Sequence, residues 1–254
     1  MTAAYAVEAL KLRRSRVVAV ATVTLLMVPA LLARAFLIAA EAGGADPTSA
    51  KAALLLPGVG WTGYLGGLIQ IYATAGVIGS GIVVGWCFGR EYADRTIVSL
   101  YASATPRASV ARAKLVLLAV WSVVVGVGGA GAACVIGIAS GLGLPDAADG
   151  RVLLRLAALA VLSGFLALPV ALPASIGRGY LPAVGGVLAL VVAAQVAMVA
   201  GAGQWWPWSI AAMWAMGADS GMEPVAPAWL TVVPLVAALG AWATVAWWRR
   251  AEVL

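Results

Sequence analysis

The sequence predicts an all-α membrane protein with six transmembrane helices, on three observations. Of its 254 residues, 63% are hydrophobic and only 10% charged, where soluble domains carry roughly 25% charged residues. Apolar runs long enough to cross a bilayer, each about 20 residues, recur at 17–40, 64–88, 113–140, 152–175, 181–202 and 227–248. The basic residues are also sorted. With both termini inside, twelve of the sixteen fall on the cytoplasmic side, leaving Arg34, Lys51, Arg151 and Arg155 outside. That is the positive-inside pattern and fits an even number of spans. The connecting pieces 41–63, 89–112 and 203–226 are too short to fold alone, so residues 1–254 form one transmembrane domain. The net charge of +6 then records topology, and no nucleic-acid partner is expected.

Residues 3–16, AAYAVEALKLRRSR, mix apolar and basic positions before the first span. They read either as a short interfacial helix among anionic headgroups or as an unstructured tail that supplies positive-inside charge. The run from Val17 to Leu32 is longer than a leader's apolar core, and Arg34 interrupts the cleavage-like Ala33-Arg34-Ala35. It is therefore read as a span that is retained.

Small residues crowd spans 2 and 3: Gly81 and Gly85 form a GxxxG pair, and residues 126–134 read GVGGAGAAC. In lipid, close backbone approach through such residues supplies the helix–helix contact. Gly126, Gly128 and Gly131 also spell GxGxxG, but inside a span there is no strand to precede a nucleotide-binding turn. Cys87 and Cys134 lie at opposite ends of neighbouring spans and read as packing residues. The absence of histidine removes imidazole ligands, triads and proton relays together.

Tryptophans mark both interfaces, with Trp61, Trp205, Trp206, Trp208, Trp214 and Trp229 outside and Trp86, Trp247 and Trp248 inside. Trp121 and Trp242 fall within spans, where they read as lipid-facing. The outer connection GQWWPWSIAAMWAMGADSG (203–221) is too short to cross and too apolar for an ordinary loop. That suggests a re-entrant or interfacial segment with Pro207 in its first turn. Trp205, Trp206, Pro207 and Trp208 are then either an external gate or an interfacial cap.

Chemistry is sparse at depth. No acidic residue lies deep in a span, which argues against a proton- or ion-coupled carrier. Arg34, Arg151 and Arg155 sit near span ends and can snorkel outward. Gln70 and Gln195 are the polar groups at depth, suited to a substrate pathway or to interhelical hydrogen bonds. No cluster of catalytic groups shares one depth, and no Walker sequence is present, so this chain is not expected to hydrolyse nucleotide.

Charge and turn chemistry concentrate instead in FGREYADRTIVSLYASATPRASVARAK (88–114), with seven of the twenty-six charges. On a helical wheel from Glu91 to Tyr101, Glu91, Asp94, Arg95 and Ser99 gather on one side. Tyr92, Thr96, Ile97, Leu100 and Tyr101 lie opposite. Glu91 and Arg95 form an i,i+4 pair, and Glu91 suits a helix N-terminus. Thr105 reads as the N-cap and Pro106 as the first position of the helix that becomes span 3. The expectation is a short cytoplasmic helix, a turn, and a second helix entering the membrane. Two acids and one base on the polar face suit a protein groove better than anionic lipid.

Glu91, Thr96, Leu100, Pro106, Arg107 and Lys114 resemble the E-x4-T…L…P-[ST]-R…K pattern of the type-2 ABC transporter permeases. GRGYLPAVG (177–185) and WWPWSIAAMW (205–214) are similar to later stretches of the same family. Arg95 stands where many members have glycine, and Pro106 directly precedes Arg107. The resemblance implies a bacterial plasma-membrane permease subunit that pairs with a second permease chain, as homo- or heterodimer, and binds two copies of a separate ABC ATPase. ATP and magnesium belong to that partner, with no cofactor in this chain. Glu91, Tyr92, Arg95, Thr96, Ile97, Leu100, Tyr101, Pro106 and Arg107 would form the ATPase-docking surface on a coupling helix. The function implied is export of a lipophilic or peptide-like compound. The alternative is an immunity or sensor subunit that uses the ATPase without net transport.

Overall fold

The computed structural model describes residues 2–42, 49, 56, 58–94, 96, 105–217 and 225–250, which are helices and short connections with no strand among them. Helix α1 (Thr2–Arg13) precedes α2 (Arg16–Glu41). Next come α3 (Gly60–Ala93) and α4 (Arg107–Gly137), which continues through a π-helical turn at Ile138–Leu142. Span 4 is α5 (Ala147–Ala167), a 3₁₀ turn at Leu168–Val170 and α6 (Ala171–Ile176). The chain ends with α7 (Tyr180–Val199), α8 (Pro207–Met216) and α9 (Val232–Arg250) after a 3₁₀ turn at Pro227–Thr231.

Six helical stretches are long and apolar enough to cross a membrane, and each contains one of the six predicted apolar runs or nearly all of it. Residues 3–16 are resolved in favour of a helix over most of their length. Its inward face is Ala4, Glu8 and Leu12, packed on α4. Ser15 then breaks the chain direction and caps α2, its hydroxyl accepting from the Val18 amide at 3.2 Å.

The helices are not equivalent. In the most apolar windows of α3 and span 4, 56% of residues are buried, against 22–28% in α2, α7 and α9. So α3 and α5 form the centre and the other three leave an apolar face uncovered. At 34 residues, α3 is about 51 Å long, well beyond a hydrocarbon core of about 30 Å.

Glycine sets the closest approach. A Cβ on Gly81 would meet Val187 at 2.5 Å, one on Gly85 would meet Ala183 at 2.6 Å, and one on Gly89 would meet the Gly179 backbone at 2.8 Å. The GxxxG pair is thus a row of three, one per helical turn of α3, into which α7 and the turn before it fit.

Pro29 lies inside α2 and has no N–H for the Leu25 carbonyl four residues back. The buried Tyr72 hydroxyl of α3 donates to that carbonyl instead. A second break, the 3₁₀ turn at Pro169, is served by Trp208, whose Nε1 donates to the Leu166 carbonyl at 2.9 Å.

Several expectations are corrected. Trp121 does not face lipid: it is buried, and its Nε1 donates to Thr22 Oγ1 at 2.8 Å, while Trp242 is exposed as expected. Trp248 is buried as well, donating to Ser175 Oγ at 2.9 Å and meeting Phe88 edge to face. Arg34 binds the π-turn of α4 through Ser140 Oγ at 2.9 Å and the Ser140 carbonyl at 3.1 Å, and its Nη1 lies 3.6 Å from Glu41 at the end of α2. Wide turns expose carbonyls, and an arginine can satisfy two groups there at once.

Candidate functional site

Four charged side chains from three helices meet where α1, α3 and α4 converge. Glu8 comes from α1, Glu91 from the last turn of α3, and Lys114 from α4, two turns in from its start at Arg107. Lys11 follows Glu8 by one turn of α1. Glu8, Glu91 and Lys114 are 6%, 1% and 4% exposed, whereas Lys11 keeps 31% of its side chain open.

Lys114 uses all three of its N–H donors. They go to Glu8 Oε2 at 2.6 Å, Glu91 Oε1 at 2.8 Å and the Cys87 carbonyl at 3.1 Å. Lys11 donates to Glu8 Oε1 at 2.8 Å and Glu91 Oε1 at 3.1 Å. The remaining Glu91 oxygen, Oε2, accepts from Thr96 Oγ1 at 2.6 Å. The cluster is therefore neutral, and every carboxylate oxygen has a donor. That is the condition under which buried charge is tolerated. Burial works against the Lys11 ammonium, but the hydrogen bond and charge of Glu8, with Glu91 behind them, outweigh it and hold its pKa above the usual 10.5.

Sequence reasoning placed Glu91 on the exposed polar face of a new helix, paired with Arg95. The structure corrects that placement. No breaker stands between Gly89 and Ala93, so α3 runs on, and its axis carries Glu91 inward to two ammonium groups. A carboxylate at a helix C-terminus is disfavoured by the helix dipole; two lysines offset it here.

Thr96 brings the chain back onto the α3 terminus. Tyr92 is half-buried, Pro106 exposed at the cap position of α4, and Arg107 half-buried at its first residue. Helix α4 thus starts one residue later than expected for a Thr105 cap. Arg95, Ile97, Leu100 and Tyr101, with the rest of the expected coupling helix beyond Thr96, lie outside the described residues. The cluster holds both ends of that segment.

The other candidates lie away from the cluster. Gln195 donates from Nε2 to Thr74 Oγ1 at 3.2 Å, linking α7 to α3. Gln70 is exposed and lines two cavities. Helix α8 runs antiparallel along α5, with Trp208 beside Leu166 and Gly217 beside Arg155, eleven residues back. Trp205 is exposed and packs edge to face on Trp229, while Trp206 lies against Trp208. Pro207 opens α8 as expected.

Glu8 and Lys11 were not singled out from sequence. The available signal was an acid at the i+4 position from Ala4, on the inward face of an otherwise apolar and basic helix.

Six crossing helices tied at one end by a buried ion-pair cluster define a multi-pass membrane protein. The family model for ABC-2 family transporter proteins matches residues 5–195, three quarters of the chain, and the chain belongs to that family. The match takes in all four cluster residues and stops before α8. No curated protein and no solved structure matches the chain.

Proposed function

We propose that this chain is the permease subunit of an ATP-driven ABC exporter, moving a lipophilic or peptide-like compound across the bacterial plasma membrane. Two permease chains and two copies of a separate ATPase make up the working complex. ATP and magnesium bind in the ATPase, and this chain hydrolyses nothing itself. The end bearing Arg16, Glu91, Lys114 and Arg250 faces the cytoplasm, with both termini.

One observation carries the reading. Glu91, Thr96 and Lys114, three of the six residues that resemble the permease pattern, meet in one cluster at the ends of spans 2 and 3. The segment between them, with Arg95, Ile97, Leu100 and Tyr101, is the surface that seats on the ATPase. Force applied to that segment reaches both spans, because buried ion pairs join its two ends and α1. The re-entrant Trp205–Trp208 segment closes the outer side, and Gln70 borders the path.

The test is co-purification of the ATPase with the double variant Ile97→Asp, Leu100→Asp. Burying one such side chain contributes about 1.5–3 kcal/mol, so losing two should weaken docking a hundredfold or more. The variant should lose the ATPase yet still insert and dimerise. Full retention of the ATPase would overturn the docking assignment. Reconstituted complex with ATP should also move a compound between compartments; hydrolysis without movement would point to a sensing or immunity role.

A further inference from the structure

Helices α2 and α3 pack against each other at several levels, as at Leu25–Gly79 and Leu37–Gly63, and an open groove of about 800 Å³ lies along one side of their seam. Its walls are apolar, with Val20, Val28 and Leu32 on one side and Ile71, Ile78 and Ile82 on the other. From Arg16 to Leu32 along α2 it runs about 24 Å. One leaflet of hydrocarbon is about 15 Å deep, so the groove starts at headgroup level and continues past the midplane.

Its two ends differ in charge. At one end stands Arg16, exposed, with Arg13 and Arg14 before it. None of the three has a carboxylate within ion-pair distance among the described residues. At the other end, Gln70 is shared with a second cavity of about 380 Å³ that opens among Thr62, Asp149 and Arg155. There an acid accompanies the base. An anionic group is therefore favoured at the Arg16 end alone, and an apolar body between the ends.

We infer that this groove is a binding site for an anionic amphiphile of the inner leaflet, its headgroup on Arg16 and its tail lying along α2 and α3 towards Leu32. The volume lies within the range that holds a whole small-molecule ligand. The inference goes beyond the permease reading, since it assigns a ligand class to one groove within a single chain. It stands or falls on occupancy alone, whereas the permease reading is tested by ATPase retention.

The experiment uses the full chain in phosphatidylcholine vesicles doped with phosphatidylglycerol that carries a photoreactive diazirine at the end of one acyl chain. A phosphatidylcholine probe with the same tail serves as the comparison, and labelled residues are mapped by mass spectrometry. Phosphatidylglycerol should label the Pro29–Leu32 and Gln70–Thr74 region about fivefold more than phosphatidylcholine does, the ratio one arginine contributes near a headgroup. Arg16→Gln should erase that preference, while Arg13→Gln should leave most of it. Ala75→Trp, which fills the groove without touching Arg16, should abolish labelling by both probes there. Equal labelling by the two lipids, or labelling that survives Ala75→Trp, would overturn the site. So would labels clustered around Arg16, which reverse the orientation, or disulfide-linked dimers through Ala75→Cys with no lipid label, which give the groove to a second copy.

Discussion

Replacing Lys114 by Met tests the ion-pair cluster most directly. The native cluster holds two carboxylates and two ammoniums. The substitution leaves Glu8 and Glu91 sharing only Lys11, whose Nζ already lies 2.8 and 3.1 Å from them. It also strips a donor from the Cys87 carbonyl. Removing one partner of a buried pair costs about 3–5 kcal/mol. Lys11 is partly open to water and can turn towards both acids, so the lower end, about 3 kcal/mol, is expected. The double variant Glu91→Gln, Lys114→Met restores neutrality and keeps an oxygen for Thr96. It should recover part of the loss, with a coupling of about 0.5–3 kcal/mol between the two sites. A detergent-unfolding titration in mixed micelles gives the energies, and hydrogen exchange reports whether α1 has come away. If Lys114→Met shifts stability by less than about 0.5 kcal/mol, the usual range for surface changes, with α1 protection unchanged, the cluster does not hold these helices together.

Four further outcomes are expected. Tyr72→Phe orphans the buried Leu25 carbonyl beside Pro29 and should cost about 1–3 kcal/mol in the same titration. Gly89→Ala should destabilise by at least about 1–3 kcal/mol, because the obstacle is the Gly179 backbone; Gly131→Ala, with open space around it, should be neutral or stabilising by up to about 1 kcal/mol. In a background without native thiols, Arg14→Cys should react with an impermeant reagent from the cytoplasm and Gly143→Cys from outside, and the reverse would invert the topology. The raised pKa of Lys11 means its contribution to α1 docking holds fully below 10.5 and is lost as pH rises through the folded value, a release that a spin label at Ala6→Cys should report as increased mobility.

The six spans were legible because apolar length and basic sorting each act within a few dozen residues. So was the pattern Glu91, Thr96, Lys114, although not its meaning. A helical wheel drawn from Glu91 onward assumes a helix starts there; the unbroken α3 places the same carboxylate at a C-terminus and turns it inward. Its loss should accordingly cost far more than an exposed Glu91–Arg95 pair, worth about 0.3–0.5 kcal/mol, would suggest. Cys87, read as a packing residue, is buried. Glu8 and Lys11 escaped because their partners lie 80 and 106 residues away, beyond any local pattern. The Gly81–Gly85–Gly89 row was two-thirds visible; its partner on α7 was not, since small residues mark closeness without saying to what.

The cluster also imposes an order on biosynthesis. Glu8 leaves the ribosome 106 residues before Lys114, an interval of roughly 5–20 s at ordinary translation speeds. Throughout that time α1 has no cation on α4 to receive its carboxylate, and burying Glu8 alone is prohibitive. Helix α1 must therefore wait at the water-facing surface while spans 1 and 2 and the start of span 3 are threaded. It docks only when the α3–α4 pair has closed, so α1 is among the last parts of this half of the molecule to settle.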